Sequence, residues 1–239
     1  MMADRIVNGL SKNKSDILLN VYDILRGKFG QMNWWPAESD FEVIIGAILT
    51  QNTSWKNVEK AIANLKTNDL LSFEALYDAD IRKLGEFIKP SGYYNQKAKK
   101  IKEFINFAKS DYDFSLELMR KEDVFAMRKK LLNVFGIGQE TADSILLYAF
   151  KKPVFVIDAY TRRILERHNI VKGALKEKYE NLQRLFMADT ALGKINAKVK
   201  VYNEYHALIV TAGKMFCKRT PACDNCPLKE LEEREEQVF

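Results

Sequence analysis

Asp158 closes an apolar run, Val154 to Ile157, and opens a segment in which Thr161, Arg162 and Ile164 suit a helix. A carboxylate there can cap the helix by accepting from the Thr161 N–H. An ionised carboxylate can also activate water or stabilise a developing cation. Twenty residues upstream, Gly136-Ile137-Gly138 separates two helical stretches. Leu131, Leu132 and Phe135 mark the first, and Ala142, Ile145, Leu146 and Ala149 recur at helical spacing in the second. The glycines allow a turn that a Cβ resists. A helix starting just past Gly138 points N–H groups out of its end, where they attract phosphate. Such a bend grips a DNA backbone without reading its sequence. Asp158 alone reads equally as a cap or as a functional group; paired with this bend it points to function.

Three other groups could do chemistry. Trp34, Trp35 and Pro36 lie together, with Trp55 further on. Adjacent tryptophans cannot share one helix face, and Pro36 pushes Trp35 towards an extended conformation. The rings are either core anchors or walls of a recess. Cys217, Cys223 and Cys226, the only cysteines, form C-x5-C-x2-C followed by Pro227. Neither His168 nor His206 has a partner at metal-ligand spacing, and both read as structural or surface residues.

The stretches LNVFGIGQETADSILLYAF and VFVIDAYTRRIL resemble the helix-hairpin-helix DNA glycosylases, the endonuclease III superfamily. The likeness runs from about Asn33 to Cys226. It implies that Gly136, Ile137, Gly138, Gln139 and Thr141 grip the phosphate backbone and that Asp158 supports cleavage of the base–sugar bond. ILTQNTSW resembles the family's edge in which a Gln at the place of Gln51 fills the gap left by an extruded base. NWWP and TQNTSW are similar to the endonuclease III-like 3-methyladenine DNA glycosylases, where matching aromatic residues sandwich the base. Trp34, Trp35, Pro36 and Trp55 are then the expected base pocket. Such bases carry positive charge, which aromatic faces attract, and they leave readily.

One departure bears on mechanism. Bifunctional members carry a Lys two residues after the second hairpin Gly, and its amine forms an imine with the sugar. Here that residue is Glu140, which cannot. The resemblance therefore implies a monofunctional glycosylase that leaves an abasic site uncut. A bifunctional glycosylase/AP lyase using another Lys, and a non-catalytic helix-hairpin-helix DNA-binding module, are the alternatives.

The cysteines resemble the family's iron–sulfur loop, which uses four thiolates. Glu232 stands at the expected fourth position, and the first spacing is one residue short. Either a [4Fe-4S] cluster takes an unusual ligand or the loop folds without metal; zinc lacks a fourth ligand. The 3-methyladenine branch lacks the cluster and uses a carbamylated lysine, which the resemblance carries onto Lys214. No cofactor is required for the expected chemistry.

These residues must be positioned by helices. Ser15 to Phe29 reads as an amphipathic helix ended by Gly30, Phe41 to Leu49 as a buried helix, and Ser54 to Leu65 as an amphipathic one. Asp80 caps a turn, Tyr94 starts a longer helix, and Ala174 to Met187 and Ala197 to Gly213 complete the pattern. Apart from the brief Pro153–Ile157 run there is no strand signal, so the class is all-α. Two helical domains are expected, 37–151 with the hairpin and 1–36 plus 152–239 with the cysteine loop, separated by a cleft holding Asp158.

The 239 residues can bury a substantial core. A net charge of +6 agrees with a polyanionic partner. Lys97, Lys99, Lys100 and Lys102 form one basic cluster, Arg128, Lys129 and Lys130 a second, and Lys214, Lys218 and Arg219 a third. No apolar run matches a membrane span or a leader. The expectation is a monomer in the cytoplasm, acting on damaged double-stranded DNA.

Overall fold

The computed structural model describes residues 12–188, 198–229 and 231. The chain forms two compact units, one of Trp35–Lys152 and the other of Met1–Trp34 with Pro153–Phe239. The described residues are helical and contain no strand. Val154–Ile157 is buried and forms no strand, while Pro153 before it is exposed.

The Trp35–Lys152 unit is built on α2, Asp40–Leu49, which follows α1 of the other unit. Ser39 caps it by accepting from Glu42 N–H at 3.1 Å, and every residue from Phe41 to Leu49 is buried. Around it lie α3 (Trp55–Thr67), α4 (Phe73–Asp78), α5 (Ile81–Ile88) and α6 (Tyr94–Tyr112). Val58, Ala61, Ile62 and Leu65 form the buried stripe of α3, the spacing expected of an amphipathic helix. Asp80 caps α5 through the Arg82 and Lys83 N–H groups, both at 3.0 Å. The chain continues through α7 (Leu116–Lys121) and α8 (Val124–Asn133), capped by Ser115 and Asp123. It turns at Val134–Gly138 into α9 (Gln139–Ser144), which runs on as a π turn over Ile145–Ala149.

This unit begins at Trp35 rather than Ala37, because the Trp35 ring packs into it. Its centroid lies 5.1 Å from those of both Trp55 and Tyr148. Gly46 of α2 is the floor beneath: a Cβ there would lie 3.6 Å from Trp35 and 3.7 Å from Trp55.

Several cations of the first two basic clusters are tied into the fold, whereas Lys99, Lys129 and the third cluster, Lys214, Lys218 and Arg219, are exposed. Lys97 is buried, and its Nζ donates to the carbonyls of Leu49 at 2.9 Å and Ser91 at 2.6 Å. Burial, with the charge of Lys100 added, pushes its ammonium down to about 8. Lys102 donates to the carbonyls of Leu76, Tyr77 and Ala79, closing the end of α4. Arg128 binds the fully buried Asp143 with two bonds, 2.7 and 3.0 Å, and Lys130 meets Glu122 at 2.6 Å. Helix C-termini and buried carboxylates consume these cations. Lys99 and Lys100 are left beside the hairpin.

The second unit joins α1 (Lys12–Phe29) to α10 (Ala159–Arg167), α11 (Tyr179–Met187) and α12 (Lys198–Met215). Gly30, left-handed at φ +71°, ends α1 by donating to Arg26 O at 2.8 Å. Leu18, Val21, Tyr22 and Leu25 bury one face of α1, and Tyr205 of α12 donates its hydroxyl to Leu18 O at 2.8 Å. Phe155 stacks on Phe186 at 4.0 Å, with Tyr202 and Tyr205 edge-on. The expected helix from Ala174 starts only at Tyr179. Gly173 is left-handed, and Arg162 holds the turn by donating to Ala174 O at 2.9 Å and Glu177 O at 2.7 Å. Ala197, the expected start of the last helix, lies outside the described residues.

Candidate active site

The second unit carries the carboxylate. Asp158 is the N-cap of α10 with extended backbone, φ −108° and ψ −176°. Its Oδ1 accepts from Thr161 N–H at 2.7 Å and from the Thr161 hydroxyl at 2.8 Å. Two short bonds on one oxygen fix the rotamer and leave Oδ2 to other work. The residue is 8 % exposed.

Oδ2 faces α12, where His206 Nε2 stands 3.7 Å away, with His206 itself 6 % exposed. No short-range pattern marks this pair, because its members lie on helices remote in the chain. Neither a cap motif nor metal-ligand spacing connects them. Burial pushes His206 below the ordinary histidine range; Asp158 opposes that shift, and the positive charge of Lys214 adds to it. His206 is thus neutral near pH 7.

α12 can approach α10 closely because Gly213 has no side chain. A Cβ there would fall 2.3 Å from the Tyr160 ring, two residues past Asp158. Lys214, the next residue, sets its Nζ 5.4 Å from the centre of the Trp34 ring. Trp34 therefore belongs to the surroundings of Lys214, as a ring meeting a cation.

The cysteine loop follows α12. Cys217 is buried, Cys226 half-buried and Cys223 exposed. Arg163 and Arg167, one turn apart on α10, reach the start of this loop. Arg163 Nε donates to Cys217 O at 2.9 Å, and Arg167 donates to Lys218 O at 2.7 Å, Arg219 O at 3.2 Å and Cys217 Sγ at 3.2 Å. Among the described residues, no three of His, Cys, Asp and Glu stand together as metal ligands. Glu232 lies outside the described residues. Cys217, Cys223 and Cys226 would supply three thiolates to an iron–sulfur cluster.

The hairpin belongs to the other unit. Gly136 is left-handed at φ +82°, and the stem of Lys100 runs where its Cβ would be, with Cγ at 2.3 Å. Ile137 is buried and anchors the bend; Gly138 is exposed and precedes α9 in extended conformation. Gln139 opens α9, and Thr141 is buried in its first turn. Gln51, from the turn between α2 and α3, donates to Gly136 O at 3.1 Å and to the Thr141 hydroxyl at 3.0 Å. Its carbonyl accepts from Lys100 Nζ. The expected wedge is thus tied at both ends of its amide to the hairpin. Lys99 sets its Nζ 4.4 Å from the centre of the exposed Phe135 ring.

Trp35 and Trp55 meet edge to face over Gly46, with Tyr148 tilted against Trp35. Pro36 is exposed and both tryptophans are half-buried. Tyr148 was not foreseen: the π turn brings round a position that a regular helical count treats as one more core residue.

An all-α fold with a glycine hairpin and a helix-capping aspartate behind an apolar run defines a class, the helix-hairpin-helix glycosylases. The description of the HhH-GPD superfamily of base excision DNA repair proteins matches residues 45–188, and the chain belongs to this family of DNA glycosylases. It is 44% identical over 223 residues to a Methanocaldococcus jannaschii protein that carries the name of a DNA repair glycosylase, covering 93% of this chain and 98% of that one. It is 30% identical over 190 residues to endonuclease III of Thermotoga maritima, covering 79% of this chain and 80% of that protein. Among solved structures, the 3-methyladenine DNA glycosylase MagIII of H. pylori, bound to 1,N6-ethenoadenine, superposes with a TM-score of 0.71 at 31% identity. That match covers 84% of this chain and 97% of the other. An endonuclease III–DNA covalent intermediate shares the fold, with a TM-score of 0.75 at 19% identity over 96% of this chain and 100% of the other. No helix among the described residues is long and apolar enough to cross a membrane.

Proposed function

We propose that the protein removes alkylated purines such as 3-methyladenine from double-stranded DNA by hydrolysing the N-glycosidic bond, leaving the abasic site uncut. The observation that carries this reading is the Asp158 carboxylate, one oxygen fixed by Thr161 and the other left for chemistry. A glycosylase must first take the base out of the stack. The hairpin from Gly136 to Thr141 holds the backbone while this happens, and Gln51 takes the place of the departed base. That insertion exchanges the bonds of Gln51 to Gly136 and Thr141 for contacts with DNA.

The base is received on aromatic faces, for which Trp35 and Trp55 are the best placed in their unit; Trp34 and Pro36 complete the expected set. A positively charged base binds such faces and departs without much protonation. Asp158 then stabilises the oxocarbenium charge on the sugar or takes a proton from the attacking water. Glu140, in the first turn of α9, supplies no amine for an imine. The likeness to the H. pylori 3-methyladenine glycosylase supports the same substrate class.

The 30% identity to a T. maritima endonuclease III favours a second reading, a glycosylase with AP lyase activity. One assay separates the two. The full chain is incubated with methylated duplex DNA, with and without borohydride, and released base, strand breaks and protein–DNA adducts are measured. Free methylated purine with intact strands and no trapped adduct is the expected result. A strong trapped band overturns the monofunctional reading, and no base release overturns the substrate class.

A further inference from the structure

With the chemistry on Asp158, whatever faces its second oxygen governs the charge that the carboxylate can offer. Capping takes up Oδ1, through both donors of Thr161. The oxygen that remains is Oδ2, and the ring nitrogen His206 Nε2 lies 3.7 Å from it. That is longer than a hydrogen bond but near enough for the charge state of the ring to matter. Both groups are almost wholly buried, so solvent screens their interaction little.

The surroundings of His206 decide its charge. The edge-on Phe155 ring, 6.3 Å away between centres, offers no charge. Asp158 favours the imidazolium, whereas burial and Lys214, on the same helix, disfavour it, and the net effect is a neutral ring. A neutral ring leaves the negative charge of Asp158 available to a cationic sugar. An imidazolium at 3.7 Å would form an ion pair and cancel that charge.

Resting on the assignment of the chemistry to Asp158, we propose that His206 is the positioning residue for that carboxylate: a buried imidazole packed against its second oxygen, limiting where that oxygen can go. His206 touches no reacting atom in this scheme. Lys214 acts on the same pair from further off, by keeping the imidazole unprotonated.

The consequence is a dependence on acidity. The folded His206 protonates below the free histidine value of about 6.5, so the base-release rate holds as pH falls through that value and drops only further down, where the folded ring takes up its proton. Folding stability moves the same way: the unfolded chain binds this proton more readily, so stability is lost as pH falls through the folded value.

The test uses the full chain with His206→Ala, His206→Gln and Asp158→Asn. Single-turnover release of base from methylated duplex DNA is measured across pH, together with affinity for a duplex containing a tetrahydrofuran abasic analogue. His206→Ala should slow release on the order of 10- to 100-fold, the cost of a misplaced catalytic group. Affinity for the analogue should be unchanged. His206→Gln, which restores an N–H near the Nε2 position, should recover most of the rate and lack the acid limb. Should the Ala variant fail to fold, the Gln variant and the titration below decide the matter. In the NMR titration of His206, Asp158→Asn should shift the midpoint to lower pH, since it removes the charge that favours the imidazolium.

An unchanged rate and an unchanged acid limb in both His206 variants, alongside an inactive Asp158→Asn, overturns the role of His206 and leaves that of Asp158 standing. A midpoint that does not move in Asp158→Asn also overturns it. Full activity in Asp158→Asn removes the assignment on which the proposal rests, and the two fall together.

Discussion

The hairpin of one unit and the Asp158 corner of the other are assembled from different materials. At the hairpin, shape does the work: a left-handed Gly136, a lysine stem lying where a Cβ would be, and a glutamine amide bonded at both ends. At the Asp158 corner, charge does the work: a buried carboxylate faces a buried imidazole, and an ammonium on the same helix biases the imidazole's proton. The first should suffer when volume is added and the second when charge is altered at constant volume.

The largest effect should come from Asp158→Asn, which keeps the shape and removes the charge. Base release should fall on the order of 10²- to 10⁴-fold, with binding to an abasic-analogue duplex retained. Equal losses in rate and binding would erase the distinction between the two regions, because Asp158 would then be part of the grip.

Next in size is a charge that supports the hairpin rather than reacting. Asp143 is fully buried behind it and takes two bonds from Arg128. Asp143→Ala leaves that guanidinium without its carboxylate and should cost about 3–5 kcal/mol in urea unfolding. Combining it with Arg128→Met should restore much of the loss, since two apolar groups need no partner. A cost below about 1 kcal/mol would mean that other groups hold the Arg128 guanidinium once the carboxylate is gone.

Gly136→Ala tests shape directly. The new methyl would collide with the Lys100 stem at a φ that disfavours any side chain. A loss of about 1–3 kcal/mol in stability is expected, with weaker DNA binding. Wild-type stability in this variant would show that Lys100 moves aside freely. The smallest effect belongs to Lys100→Ala. If the lysine leaves Gln51 for a phosphate when DNA binds, the slope of log affinity against log salt should become shallower by about 0.9. An unchanged slope assigns Lys100 to bracing alone.

The two regions also differed in how far they could be read from the chain. The hairpin is local: Gly136, Gly138 and the apolar positions around them lie within a short stretch, and the cap from Asp158 to Thr161 spans one helical turn. Periodicity and capping rules act over such distances, so the all-α class and both motifs were legible. His206 and Lys214 reach Asp158 and Trp34 only through the packing of α12, for which the sequence holds no short-range mark beyond Gly213. The lysines misled for a related reason. Lys97 and Lys102 look like surface charge until the carbonyl ends of neighbouring helices fold against them. Tyr148 escaped because the π turn breaks the 3.6-residue count on which core positions are assigned.

That wider turn sets what the chain tolerates in length. Each residue of a regular helix turns the chain by about 100°. Deleting one residue between Ile145 and Ala149 could tighten the coil to an ordinary one with its hydrogen bonds intact. The flanks would keep their phase, because a π turn spends one residue more on the same turn, but the residues within the turn would be redistributed and Tyr148 would lose its place against Trp35. A gap of one residue here is thus a change of wall, whereas the same gap in the loop after Gly173 would only shorten a bend.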